Sequence, residues 1–167
     1  MLFERLNTPQ EVCNYKLGAA LKMERTILDM LKKNAEEARD DKVRGLFLHH
    51  REETEGHVRN IEEAFGMFGW DVDDSPCPTI EALDKEGKVN AKKTDEALRD
   101  LVLLQAAVEV EHHEIGVYEN LMISAKALGR DDVAAVLQRN LESEQHTLEE
   151  VKSAQPQVAA TAPRQHA

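Results

Sequence analysis

Glutamate and histidine side chains occupy positions in this sequence where a helical protein usually has apolar ones. The inward face of each helical segment can be followed in steps of three and four residues, and charged side chains are expected to stay off it. Seven residues break that pattern, and they are Glu24, His50, Glu53, His57, Glu111, Glu114 and Glu144. An unpaired ionised carboxylate in a bundle core is strongly destabilising. Because no Lys or Arg falls on these rows, protonation or bound cations must neutralise the carboxylates.

Two bound metal ions satisfy both the charge and the spacing of these residues. Glutamates from different helices, with a histidine one turn away, are the ligands of di-metal carboxylate bundles. Bridging glutamates would hold the ions roughly 3.5–4 Å apart, so that both engage one oxygen species. Divalent or trivalent ions would both fit this ligand set. The imidazoles must be neutral to coordinate, and an unperturbed histidine is mostly neutral near pH 7.

The spacing leaves the individual ligand roles open. His50 and His57 each reach the face of Glu53, at i−3 and i+4 respectively, so either one could be the ligand. Tyr118 and Met122 fall on the same face as Glu111 and are most simply core residues. No residue is identified as catalytic.

Four long helices must position these side chains. Thr8-Pro9-Gln10-Glu11 has a capping residue, a proline at the first helical position and an acid two residues after it, which predicts a helix start. The first helix runs from there to about Arg39, the second follows Asp40-Asp41 to about Phe68, the third runs from near Thr94-Asp95 to Leu128, and the fourth begins at Asp131-Asp132. Gly129 supplies the stop between the last two.

The connections predict an all-α four-helix bundle. Two are short, and the third, over residues 69–90, contains Pro76, Pro78 and Gly87 and predicts an irregular crossover with at most a short fifth helix in 79–86. Two antiparallel hairpins joined by a long crossover are one of the standard bundle topologies. The bundle domain is assigned to residues 1–153, and residues 154–167, with two prolines, are predicted to be a disordered tail.

Composition excludes several function classes. The 167 residues include 32 acidic and 21 basic side chains, a net charge of −11, which argues against nucleic acid and acidic membranes as partners. No apolar run approaches the roughly 18 residues of a membrane span, and the N-terminus lacks the apolar segment of a secretory signal. A cytoplasmic location is therefore expected, with Cys13 and Cys77 as reduced structural thiols.

The motifs around the candidate ligands resemble those of the YciE/YciF family of ferritin-like proteins. The resemblance spans residues 17–151 and is carried by the segments HREETEGHV (50–58), VEHHEI (110–115) and LESE (141–144), together with Tyr118. It implies a ferritin-like bundle, usually dimeric, with a di-metal carboxylate site and a link to bacterial stress responses. Matching positions that would line the site are Glu24, His50, Glu53, Glu111, Glu114 and Glu144.

Two departures from the related patterns shape the functional hypotheses. Position 57, often Gln in the family, is His here, and Thr147 stands where a ferritin-type Glu-x-x-His motif would place its second histidine. We therefore expect a carboxylate-rich site. The leading hypothesis is a homodimeric protein with two metal ions that reacts with peroxide or dioxygen in a stress response. Iron is the expected metal, with manganese and zinc as alternatives. The alternative is a non-enzymatic acidic module that binds metal or a partner without turnover. Whether the protein is an enzyme is left open by the sequence.

Overall fold

The computed structural model describes residues 5–162, which form five α-helices and no strand. The helices are α1 (Pro9–Glu37), α2 (Asp41–Phe68), α3 (Pro78–Lys93), α4 (Arg99–Ala127) and α5 (Asp131–Thr161), with a short 3-10 helix, Glu96–Leu98, just before α4. Within this range, no helix combines the length and the apolar character needed to cross a membrane.

The predicted starts of α1 and α2 are confirmed by their capping contacts, whereas the helix predicted from near Thr94-Asp95 becomes α-helical only at Arg99, after the 3-10 helix. The Glu11 N–H donates to Thr8 Oγ1 (3.2 Å), and the Thr8 N–H donates to a Glu11 carboxylate oxygen (2.9 Å), which is a complete capping box. Asp40 caps α2 by accepting hydrogen bonds from the N–H groups of the two residues that follow Asp41. Gly129 follows α4 with a φ of 72°, a conformation that favours glycine.

The two hairpins pack as a four-helix bundle. α1 packs on α2 and α4 on α5 along their lengths, and the hairpins meet through the pairs α2–α5 and α1–α4. Each hairpin turn is only three residues long, which makes its helices antiparallel neighbours. The apolar core includes Leu17 and Ile27 on α1, Ile61 and Phe65 on α2, and Leu137 on α5. The all-α bundle with two hairpins is therefore confirmed.

The crossover is more helical than the sequence predicted. The short helix expected in 79–86 is instead the 16-residue α3, which runs past Gly87 to Lys93. Pro78 begins it at a position where its missing N–H costs nothing, and Ile80 and Ala91 are buried against the bundle. Gly87 stays helical where its backbone passes α4, with Ala106 Cβ 3.7 Å from the place of an added Cβ. Packing against α4 and α1 outweighs the glycine penalty.

The last helix also extends into the predicted tail. α5 continues through Pro156 to Thr161, so the expectation of disorder from Ala154 is wrong as far as Thr161, and residues 163–167 lie outside the described range. Ala154 and Val158 pack against the core, and the Gln155 side chain donates to the Leu104 carbonyl (3.2 Å). These contacts offset the hydrogen bond that Pro156 cannot donate.

A close approach at Gly18 fixes the start of the crossover. A Cβ added there would lie 2.7 Å from Ser75 Oγ and 2.9 Å from the Asp73 carbonyl oxygen. Only glycine allows the segment that follows α2 to lie directly on α1. The crossover is thus seated on α1 before it enters α3.

Candidate metal centre

The predicted in-stripe residues meet in the middle of the bundle. Glu24, Glu114 and Glu144 are 0% exposed, and His50, His57 and Glu111 are 2–4% exposed. They come from α1, α2, α4 and α5, so every helix of the bundle contributes at least one. Each of them lies on the row of apolar residues that faces the neighbouring helices, which is why folding brings them to one place.

Four of these side chains form the first group of donor atoms, which we call the four-donor group: His50, Glu111, Glu114 and Glu144. One donor atom from each lies within 4.8 Å of the others. His50 Nε2 is 3.2 Å from a Glu111 oxygen and 3.6 Å from Glu144 Oε2. Three carboxylates and one imidazole at these distances match the ligand set of a hard or borderline divalent ion.

A second set, the three-donor group, consists of Glu24, His57 and Glu144. Its donor atoms also lie within 4.8 Å of one another. His57 Nδ1 is 2.8 Å from Glu144 Oε1 and 3.8 Å from Glu24 Oε1. Glu144 therefore directs Oε1 toward His57 and Oε2 toward His50, the arrangement of a bridging carboxylate. The two imidazole centroids are 6.3 Å apart.

Glu53 is the predicted residue that the structure leaves outside both groups. Its side chain is 25% exposed and lies at the rim, 3.6 Å from His50 Nδ1. Thr147 Oγ1 donates to Glu53 (3.4 Å) and lies 3.2 Å from the same His50 nitrogen. Glu53 and Thr147 thus orient the His50 ring through its outer nitrogen, while Nε2 faces the donor group. A ligand role for Glu53 stays a prediction.

The sequence reasoning missed a polar network behind Glu24. Tyr118, expected only as core, is fully buried and donates its hydroxyl hydrogen to Glu24 Oε1. Asn140, also fully buried, donates to the Tyr118 oxygen (2.9 Å) and to the His57 carbonyl (3.2 Å). The sequence feature that could have predicted this network is Asn140, a polar residue on the same inward face of α5 as Glu144.

Within residues 5–162, the other four histidines lie off the donor groups, as their positions predict. His49, His112 and His146 are exposed, and His113 is half-buried. His49 and His146 make only surface contacts, with Glu53 (3.7 Å) and Glu150 (3.6 Å). Burial, together with the charge of Lys16, lowers the pKa of His113.

The ionisation of the histidines differs from the sequence-based expectation that they are neutral. Burial lowers the pKa of His57, but the adjacent Glu144 and Glu24 carboxylates outweigh it and raise that pKa to about 10. The pKa of His50 is likewise raised, because Glu111 and Glu53 outweigh its burial. In the metal-free protein both imidazoles are therefore protonated near pH 7, and a metal ion must displace those protons.

Burial raises the pKa of two of the central carboxyl groups, Glu114 and Glu144. Burial, with the neighbouring charges of Glu144, Glu111 and Glu24, raises the pKa of Glu114 well above its usual range. Burial also raises the pKa of Glu144, despite the opposing effect of His57. Desolvated carboxylates without enough partners hold protons that a cation would replace.

Unpartnered buried atoms show that the residues fit a cation. Both oxygens of Glu114, both of Glu144, Glu24 Oε2 and Glu111 Oε2 are buried and accept no hydrogen bond within the described chain. His50 Nε2 and His57 Nδ1 also lack an aligned hydrogen bond. Buried polar atoms are rarely left without partners. Their convergence on one point therefore indicates that they are arranged around something other than protein.

Two cavities approach the centre from outside. One lies between α1, α3 and α4 and has a mostly apolar lining, and the other lies between α2, α4 and α5. Leu31, Ala107 and Glu111 line both of them, and the second is also lined by His50 and Thr147. Both cavities therefore border the four-donor group at Glu111.

The fold and the buried glutamate–histidine cluster define a ferritin-like helical bundle. A ferritin-like diiron-carboxylate protein of Bacillus anthracis strain Ames shares the fold with a TM-score of 0.70, over 90% of this chain and 99% of that chain, at 16% identity. YcfI of Rhodopseudomonas palustris superposes with a TM-score of 0.87, covering 91% of this chain and 98% of that one, at 26% identity.

Sequence comparison gives the family. The family profile described as Domain of unknown function (DUF892) matches residues 8–162, and the chain belongs to this family. The protein YciF of Escherichia coli strain K12 is 28% identical over 144 residues, which cover 85% of this chain and 87% of YciF. The crystal structure of YciF, described as a stress protein, superposes with a TM-score of 0.87 at 25% identity, over 93% of this chain and 99% of that one. The resemblance predicted from the motifs is confirmed.

Proposed function

We propose that this protein binds two metal ions, iron or alternatively manganese, and reacts with peroxide or dioxygen in a stress response. The observation that carries the proposal is the position of Glu144, which directs one oxygen to each imidazole and so belongs to both donor groups. The similarity to the stress protein YciF supports the physiological setting. The homodimer and the cytoplasmic location expected from the sequence are part of the same proposal.

The charge at the centre favours metal ions over protons as the groups that neutralise the carboxylates. The two groups together contain four carboxylates and two imidazoles. In the metal-free protein, protons on these buried groups offset part of the charge but leave oxygens without hydrogen-bond partners. Two divalent cations would balance the four carboxylates and use those oxygens directly.

The chain would hold, shield and orient the ions. When bound, two ferrous ions can supply the two electrons that, with two protons, reduce one peroxide to two water molecules. Glu144 and the carboxylates of both groups hold the ions, and Glu53 and Thr147 fix the His50 ring. The apolar residues around the centre shield it from bulk water, and Glu111 lines both of the cavities that border it.

A metal count followed by a peroxide assay tests the proposal. The protein is loaded anaerobically with ferrous iron, and we expect about two ions per chain and peroxide consumption. Glu144→Gln should lose both, whereas the matched control Glu142→Gln, an exposed position two residues away, should keep both. A count below about 0.2 ions per chain in the wild type would contradict the metal site.

The same assay identifies the alternative function. Two bound ions without peroxide or dioxygen consumption would indicate a module that binds metal, or a partner, without turnover. An equal peroxide rate in wild type and Glu144→Gln would also exclude the centre as the reacting site.

A further inference from the structure

We propose that the two donor groups are unequal and fill in a fixed order, the four-donor group first and the three-donor group second, with Tyr118 as the positioning residue of the second. This inference rests on the proposed metal site. It concerns the order of filling and the affinity of each position rather than the existence of the site.

The number of donors available to each group differs. The four-donor group has three residues that belong to it alone, His50, Glu111 and Glu114, and both oxygens of Glu114 lack a hydrogen-bond partner in the described part of the chain. The three-donor group shares Glu144 and has only Glu24 and His57 to itself. Affinity for hard cations rises with the number of charged ligands. The first ion should therefore bind where three carboxylates converge, and it would then already hold Glu144.

Tyr118 belongs to a series of hydrogen bonds that reaches Glu24, a ligand of the three-donor group only. Asn60 donates to Asn140 Oδ1 (2.6 Å), and Asn140 donates to the Tyr118 oxygen (2.9 Å). Because the Tyr118 oxygen accepts from Asn140, its own hydrogen is directed to Glu24 Oε1. Glu24 Oε2 is buried and accepts no hydrogen bond from residues 5–162, so it is the oxygen available to an ion.

These hydrogen bonds connect the three-donor group to residues of three helices. Asn140 on α5 also holds the His57 carbonyl of α2, and Tyr118 lies on α4 with its ring centroid 6.4 Å from that of His57. Removing the Tyr118 hydroxyl should therefore free Glu24 to turn without disturbing the His50 side. Loss of such an outer hydrogen bond typically weakens metal binding about 10–100-fold.

Titration of the metal-free, full-length protein with manganese(II), followed by calorimetry and electron paramagnetic resonance, tests the order. We expect two steps, the second at least about 10-fold weaker. The spectrum should be that of an isolated ion at one equivalent and of a magnetically coupled pair at two. Glu24→Gln should keep only the tight step, and Glu111→Gln should keep at most one weak step.

Tyr118→Phe is the decisive variant. We expect the second step to weaken by about 10-fold or more while the first changes by less than about twofold. The intact first step then also shows that the variant is folded. Tyr15→Phe, an exposed tyrosine on α1, is the matched control and should change neither step.

The outcomes separate this inference from the proposed function. Two equal steps, or a Tyr118→Phe effect that is the same on both steps, would overturn the order of filling while leaving the di-metal site intact. Loss of both steps in Glu24→Gln would overturn it as well. Absence of any manganese or iron binding in the wild type would instead overturn the proposed function.

Discussion

The middle of the bundle and the layers on either side of it use the same helices and the same helical period, but opposite chemistry. On α1, Glu24 lies between Leu17 and Ile27, and on α2, His57 is followed one turn later by Ile61. All of these are buried, yet the outer layers are apolar and the middle layer carries carboxylates and imidazoles. The outer layers can therefore stabilise the fold, while the middle layer is kept at a cost in stability for what it can bind.

The largest change in stability is expected from a substitution in the outer, apolar layers. Phe65→Ala removes a side chain that is 0% exposed and should lower the free energy of unfolding by about 3–5 kcal/mol. The number of metal ions bound by the folded protein should not change, because Phe65 lies two turns beyond His57. Urea denaturation and a metal count measure the two quantities, and a lost ion in the folded variant would contradict the separation.

The pH dependence of stability tests the middle layer. The pKa of His57 rises from 6.5 in the unfolded chain to about 10 in the folded metal-free chain, so the folded state holds a proton that the unfolded state releases. Its stabilising contribution is complete below pH 6.5 and is lost as the pH rises through about 10. Within that window, each unit of pH increase lowers the free energy of unfolding by about 1.4 kcal/mol for each proton that only the folded state holds.

Urea denaturation of chelator-treated protein between pH 6 and pH 10 measures this slope. His57→Gln should flatten it, and metal affinity should rise over the same range because the ion and the proton compete for the imidazole. A free energy of unfolding that rises with pH in the metal-free wild type would show that His57 is neutral there.

A smaller effect should come from making the middle layer apolar at one position. Glu114→Leu replaces a carboxylate whose two buried oxygens have no hydrogen-bond partner among residues 5–162, so the metal-free protein should become more stable by about 1–3 kcal/mol. The tight metal step should be lost at the same time. Glu109→Leu, at an exposed position of α4, is the matched control, with an expected change within about 0.5 kcal/mol. Destabilisation by Glu114→Leu would mean that Glu114 supports the fold.

The last pair of variants concerns two glycines outside the donor groups. Gly18→Ala should lower the free energy of unfolding by about 1–3 kcal/mol, because the new Cβ would overlap Ser75 and Asp73. Gly45→Ala, on α2 with nothing within 4 Å of the added Cβ, should raise it by about 0.5–1 kcal/mol. Thermal denaturation compares the pair, and equal shifts would mean that the crossover is not held against Gly18.

The sequence by itself determined the long helices of the bundle, its hairpin topology and six of the residues at its centre. Helical period and capping chemistry are local, so Thr8, Asp40 and Gly129 mark helix ends wherever the helices then pack. A carboxylate in an apolar row can also be recognised within the sequence of one helix, which is why Glu24 and Glu144 could be predicted from the sequence.

Tertiary structure decided what depends on contacts between distant residues. The length of α3 and the helical end of α5 come from packing that offsets Gly87 and Pro156, and no local signal contains that packing. The protonated state of His57 depends on carboxylates from α1 and α5. The role of Tyr118 is decided in the same way, because its hydroxyl meets Glu24 94 residues away in the chain. Side-chain type fixes what each group can do, and only the fold fixes which groups it meets.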